Sequence, residues 1–290
     1  PPEPSPFRQS DFVCQDGLGL NLALQVPAMI LHPPLLFAGY AFLAVPFALA
    51  FTAFIAGRLT ERLDLLRRFL LLGWTFLTFG NVLGAWWAYT EQGWGGYWAW
   101  DAVENSSLMP WLAAAAALHS LAVTRRTGHL AATSLVLATV PFLLCVLATY
   151  ITRGGLVASV HAYAASDSDL ANPLAWLIAH SYLVFLLAAT VGLVVLAAWR
   201  RPGTRDVAAP LHGSARRRAI ITMMPAVLLL TLTFGVLEGT IGPTIRSLAS
   251  GDRYGLDAAR FDLLAAWFAV AALAALAVAP YMISTPSRRL

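Results

Sequence analysis

Six of the ten tryptophans in this 290-residue chain fall close together: Trp86, Trp87, Trp94, Trp98, Trp100 and Trp111. The centre of that stretch reads Gly93-Trp94-Gly95-Gly96-Tyr97-Trp98-Ala99-Trp100-Asp101-Ala102-Val103-Glu104-Asn105. Its three glycines let the backbone bend tightly or let something flat come close. Large planar rings beside such a backbone make a platform for a planar ligand. The competing reading is an aromatic belt, because Trp and Tyr gather at the headgroup depth of membranes. A belt accounts for Trp86, Trp87 and Trp111. It does not account for Trp94 to Trp100, where glycines and carboxylates are interleaved with the rings. Asp101 and Glu104 are suited to ordering the loop, by N-capping or turn bonds around Asn105 to Ser107.

Six histidines accompany these rings: His32, His119, His129, His161, His180 and His212. His32 lies in Ile30-Leu31-His32-Pro33-Pro34, where the two prolines fix the backbone and predict a helix that begins after them. His161 follows Arg153-Gly154-Gly155, in Val160-His161-Ala162. Whether these imidazoles share a surface with the tryptophans depends on the elements that carry them.

Those elements are membrane spans. The chain is 59% hydrophobic and 12% charged, with a mean hydropathy of +0.68. Soluble domains run nearer to about half apolar and a quarter charged, so a soluble enzyme and a disordered chain are both excluded. A bilayer core of about 30 Å needs roughly 20 apolar residues as helix. Seven segments qualify: 34–56, 69–90, 107–124, 130–151, 173–198, 219–243 and 262–284. They lack strand-like alternation, so helices are expected and not a barrel. The fold class is therefore all-α, a polytopic helical bundle of about seven transmembrane helices. All 19 basic residues are arginine. Arg58, Arg62, Arg67, Arg68, Arg125, Arg126, Arg200, Arg201, Arg205, Arg216, Arg217, Arg218, Arg288 and Arg289 fall on one side. Arg8, Arg153, Arg246, Arg253 and Arg260 fall on the other. The positive-inside rule puts the larger set in the cytoplasm and the tryptophan loop outside. The expected divisions are an outer segment 1–33, a core 34–198, a cytoplasmic loop 199–218 and a C-terminal pair of spans 219–290. The loop arginines read as anchors to anionic lipid headgroups.

On this topology His32 and His161 flank the same outer surface as the tryptophan loop. A flat aromatic shelf with two imidazoles on one side is what a haem plane with two axial ligands requires. Arg153 is placed to neutralise a propionate through a charge-assisted bond. His119 lies about 18 Å into the third span, at ~1.5 Å per residue. An ionisable side chain at such depth is a functional candidate, and a ligand or proton relay competes with a neutral imidazole bonded to a neighbouring helix. His180 reads as such a structural histidine; His129 and His212 fall by cytoplasmic loops. Cys14 and Cys145 are too few for a disulfide scaffold. There is no Walker A loop, no His-Glu-X-X-His and no Cys-X-X-Cys-His, and no basic stripe suited to nucleic acid. The opening 1–11 has no signal-peptide pattern, and a start at Pro1 suggests a piece of a longer protein.

Trp94-Gly95-Gly96-Tyr97-Trp98-Ala99-Trp100-Asp101-Ala102-Val103-Glu104-Asn105 closely resembles the tryptophan-rich WWD signature of haem-handling proteins in cytochrome c maturation. The Val-Glu-Asn ending and Met109-Pro110-Trp111-Leu112 resemble the CcmF/NrfE branch, as opposed to the CcmC or CcsA branches. Further similarity runs through Ile30-His32-Pro33-Pro34-Leu35 to Tyr40, Gly84 to Tyr89, Leu118 to Thr124 and Ser159-Val160-His161-Ala162. The dense part of the resemblance covers roughly residues 16–165.

The resemblance implies a haem lyase subunit of the bacterial inner membrane, with its active site facing the periplasm. Such a subunit takes haem from the chaperone CcmE and passes it to apocytochrome c held by CcmH/CcmI. The haem vinyls then form thioethers with the Cys-X-X-Cys-His thiols of the apocytochrome. It implies that His32 and His161 ligate incoming haem iron, with Trp94, Trp98, Trp100, Asp101 and Arg153 around the cofactor. It implies too that His119 binds a resident haem b whose second ligand lies in a span this chain does not reach. The family loop usually has Trp, Phe and Pro where this chain has Tyr97, Ala99 and Ala102, and the lost phenylalanine removes stacking area. Two other function classes stay open: a haem transporter, and a membrane scaffold for cytochrome c assembly that binds no haem. A transporter calls for polar residues along a midplane path, which only His119, His180 and Glu238 could supply. A scaffold leaves the glycine-spaced tryptophans without a reason.

Overall fold

In the computed structural model, residues 24–91, 96–153, 157, 173–199, 211–251 and 257–284 are described. They form seven helices: α1 Pro27–Ala56, α2 Leu63–Glu91, α3 Ala102–Thr127, α4 Ala131–Arg153, α5 Pro173–Trp199, α6 Gly213–Ser250 and α7 Ala258–Ser284. All seven are long and apolar enough to cross a membrane, and each expected span coincides with one of them. In hydrocarbon every backbone amide needs an internal partner, and long helices satisfy that within one segment.

Two helix starts differ from the sequence expectation. α3 begins at Ala102, because Asp101 and Glu104 form a reciprocal capping box that satisfies the first amides. α1 begins at Pro27 and runs through Pro33, Pro34 and Pro46, so His32 is a helical residue and does not precede the helix. Pro27 suits a first helical position, where its missing N–H costs nothing. Pro33 and Pro34 forfeit two bonds near the end of the helix, where packing against α2 outweighs the loss.

α3 is the centre of the bundle and packs on α2, α4 and α6; α1 packs on α2 and α4. Its small residues Ala113, Ala114, Ala116 and Ala117 are buried, which lets neighbouring backbones approach closely. Ser134 on α4 bonds both Ser120 and Thr124 of α3, each at 2.7 Å. At the arginine-rich end Arg125 pairs with Asp64 of α2. α5 and α7 lie at the periphery, where Val191, Val194, Leu263 and Leu273 are exposed as lipid-facing side chains are.

The antiparallel pair α1–α2 is interlocked rung by rung. A Cβ added to Gly39 would stand 2.8 Å from Leu77 Cγ, one at Gly73 2.6 Å from Leu43 Cγ, and one at Gly80 2.7 Å from Leu36 Cδ2. The last rung continues the same four-three-four spacing and changes chemistry. A Cβ at Gly84 would stand 2.5 Å from His32 Cε1. The register that seats the leucines therefore also seats the histidine.

Candidate functional site

His32 lies in the Gly84 slot with its Nδ1–H donating to the Gly80 carbonyl at 2.8 Å. A carbonyl can only accept, so the proton is on Nδ1 and the ring lone pair is on Nε2. This is how iron- and zinc-ligating histidines are commonly held: one nitrogen gives its proton to a backbone carbonyl, which fixes the ring and raises the basicity of the other.

His32 lines a cavity of about 390 Å³ at the tryptophan-loop end of the bundle, shared with Pro33, Tyr40, Asn81, Trp87, Tyr97 and Trp98. The size is within the roughly 300–1,000 Å³ of small-molecule sites. Two buried polar atoms on this wall, Trp98 Nε1 and Asn81 Oδ1, have no hydrogen-bond partner among the described residues. Unpartnered groups of this kind are costly without a ligand or ordered solvent. Beside them Tyr97 stacks face to face on Tyr89, ring centroids 4.3 Å apart and planes 8° off parallel. A fixed imidazole, aromatic walls and two unpaired polar atoms fit a flat, partly polar ligand such as a porphyrin.

The loop is held by its own acids. Asp101 Oδ2 accepts from Val103 N at 3.1 Å, and Glu104 Oε2 accepts from Ala99 N at 2.8 Å and Asp101 N at 3.3 Å. Asp101 is thus the N-cap of α3, the ordering role expected of it. Trp100 carries φ 57°, a left-handed conformation rare for a bulky residue and costing about 1–3 kcal/mol. Its indole is not part of the cavity wall. It stacks on Phe261 of α7 (5.1 Å, 12°) and donates to Asp262 Oδ1 at 2.7 Å.

Other candidates are distributed as follows. Trp86 is exposed, as a belt residue is, but Trp87 is buried against the cavity. Trp111 is drawn into the bundle as well, stacked on Trp74 (5.6 Å, 19°) and donating to Thr78 Oγ1 at 2.7 Å. Trp86 is left at the surface, whereas Trp87 and Trp111, read from sequence as belt residues, are taken up by neighbours inside the bundle. His119 is half-buried on α3, its ring reaching the backbone of Thr222 on α6. His180 meets Tyr150 edge-on at 6.0 Å. Glu238 pairs with Arg246 (2.9 Å) and Arg260 (3.6 Å), two residues from Thr240, which bonds Asn105 behind the loop. It stands at the loop end and not along a midplane path. Arg153 is the last residue of α4, one position after Thr152 of the cavity wall, and its side chain lies outside the described residues. So do Trp94 and His161. Asn81, Asp262 and Phe261 were missed from sequence; only Asn81, a lone amide in an apolar run, carried a signal.

Fold and site together define a polytopic helical membrane protein with an aromatic, histidine-bearing cavity at one end of its bundle. The family described as Cytochrome C assembly protein matches residues 8–157, and the chain belongs to that family, on its CcmF/NrfE side. It is 38% identical to the probable cytochrome c-type biogenesis protein NrfE of Escherichia coli K12, over 92% of this chain and 46% of that protein. It is 37% identical to the cytochrome c-type biogenesis protein CcmF of the same organism, over 91% of this chain and 39% of that protein. A solved structure of the cytochrome c haem lyase CcmF is similar with a TM-score of 0.66 and 27% identity, covering 90% of this chain and 37% of that one. The chain thus spans less than half the length of these relatives.

Proposed function

We propose that this chain is the haem-binding part of a cytochrome c haem lyase, receiving haem at the tryptophan-loop cavity and presenting it to apocytochrome c. The observation that carries the reading is His32, held in the Gly84 slot by its Nδ1 bond to Gly80, in the lining of a cavity that Trp98 also lines. His32 would hold the haem iron, and the family resemblance makes His161 its partner ligand. Tyr97 and Trp98 of the cavity lining would contact the flat face of the ligand, and the family resemblance adds Trp94 to the aromatic set. Trp98 Nε1–H and Asn81 would pair with polar atoms of the bound ligand, and the expectation that Arg153 neutralises a propionate rests on the family resemblance.

No nucleophile is required of this chain, because the apocytochrome brings its own thiols. Each S–H adds across a vinyl group, sulfur to one carbon and hydrogen to the other, with no net oxidation. The contribution of the chain is positioning, which alone supplies large rate factors when reacting atoms are held in contact. In this reading the loop end faces the periplasm of the bacterial inner membrane, CcmE delivers haem there, and CcmH/CcmI hold the apocytochrome. His119 would hold a resident haem b together with a ligand from a later span, a group whose chemistry is one-electron transfer.

The test is an absorption spectrum with pyridine haemochrome quantitation on the detergent-purified full-length protein, co-expressed with haem-loaded CcmE. Replacing His32 and His161 by Ala is expected to lower captured haem by more than about tenfold, while His119→Ala removes only a separate b-type signal. A wild type without haem, unchanged by any substitution, would overturn the reading in favour of the scaffold.

A further inference from the structure

We propose that Asp262 is a positioning residue: through Trp100 it holds the tryptophan loop at the angle that sets Trp98 on the cavity wall. The inference deepens the haem reading above and rests on it for the identity of the ligand.

Trp100 adopts a backbone conformation that bulky side chains avoid, so contacts outside the loop must hold it there. Four do. Asp262 Oδ1 accepts the indole N–H at 2.7 Å, a short bond. Phe261 stacks on the ring at 5.1 Å with planes 12° apart. Asn105 Nδ2 donates to the Trp100 carbonyl at 3.1 Å and also to Thr240 Oγ1 at 3.1 Å. Phe261 itself sits in a slot, since a Cβ at Gly239 would stand 2.6 Å from its Cε1. The neighbouring Arg260 is turned to Glu238.

Trp100 then meets Trp98 edge to face, centroids 6.1 Å apart and planes 83° off parallel, and Trp98 lines the cavity that His32 also lines. A path of direct contacts therefore runs from α7 to the ligand wall. Trp100 is the anchor of the loop, and Asp262 is what the anchor grips.

The experiment uses the full-length protein with Asp262→Leu, Asp262→Asn, Trp100→Phe and the double variant Asp262→Leu/Trp100→Phe. Captured haem, its Soret spectrum and the indole N–H-sensitive band in ultraviolet resonance Raman are measured for each. Asp262→Leu and Trp100→Phe are each expected to lower captured haem about fivefold, the worth of one hydrogen bond, and to shift the Soret band. The double variant loses no more than either single one, because both remove the same interaction. Asp262→Asn keeps the acceptor and recovers most of the haem. Additive losses, or an Asp262→Leu spectrum identical to wild type, overturn the proposal. If the wild type captures no haem, the functional reading fails separately, and the Raman band then decides. A shift in Asp262→Leu that Trp100→Phe abolishes supports the grip on Trp100, and an unshifted band overturns it.

Discussion

Towards α1 and α2 the tryptophan loop presents Trp98, whose buried indole nitrogen has no partner among the described residues, in a cavity shared with Asn81 and an imidazole pinned at one nitrogen. Towards α6 and α7 it presents Trp100, whose nitrogen, ring face and backbone carbonyl are all engaged. Two tryptophans separated by one residue have opposite degrees of satisfaction. A fully paired ring is a fastener, whereas a buried N–H left open on a cavity wall awaits a partner from elsewhere. Composition ranks the two rings alike; their hydrogen bonds separate them.

The contrast is broken most severely at the Gly84 rung. Gly84→Ala places a Cβ where the His32 imidazole lies, and a loss of captured haem of about tenfold or more is expected. Gly39→Ala, two rungs away, meets Leu77 instead; it should cost ~1–3 kcal/mol of stability by overpacking and leave haem stoichiometry unchanged. Equal haem loss in both variants would make the ladder purely structural. Trp98→Phe is the sharper test. It removes an unpaired donor, so the haem-free protein should melt at an unchanged or higher temperature, while haem retention falls about threefold to fivefold. A drop in melting temperature instead would show that Trp98 is a fastener like Trp100. Smallest is Asp101→Ala, which deletes the N-cap of α3 and should lower stability by about 1 kcal/mol, read by thermal unfolding. Asp101→Asn should restore it.

The spans were legible because long apolar runs leave a chain few alternatives in hydrocarbon. Loop chemistry was legible where it was local: Asp101 and Glu104 lie within one helical turn of the amides they cap. The start of α1 was misread because proline rules describe an isolated helix, and at Pro33 and Pro34 the packing against α2 prevails. Trp87 and Trp111 were misread for a related reason. Which side of a helix meets a neighbour is a tertiary fact that ring chemistry does not encode. The grip of Asp262 on Trp100 spans 162 positions, and nothing in the residues around either end announces the other.

The sequence separations also impose an order in time. His32 and Gly80 are 48 positions apart, within two adjoining helices that a ribosome finishes before α3 to α7. The imidazole can be set in its slot while later spans are still being made, since chains acquire structure from the N-terminus as they emerge. The Trp100 indole must wait for α7 before its nitrogen and ring face have their partners. The nascent protein thus passes through a stage with its ligand side built and its loop unfastened, and insertion of α7 is the event that completes the wall.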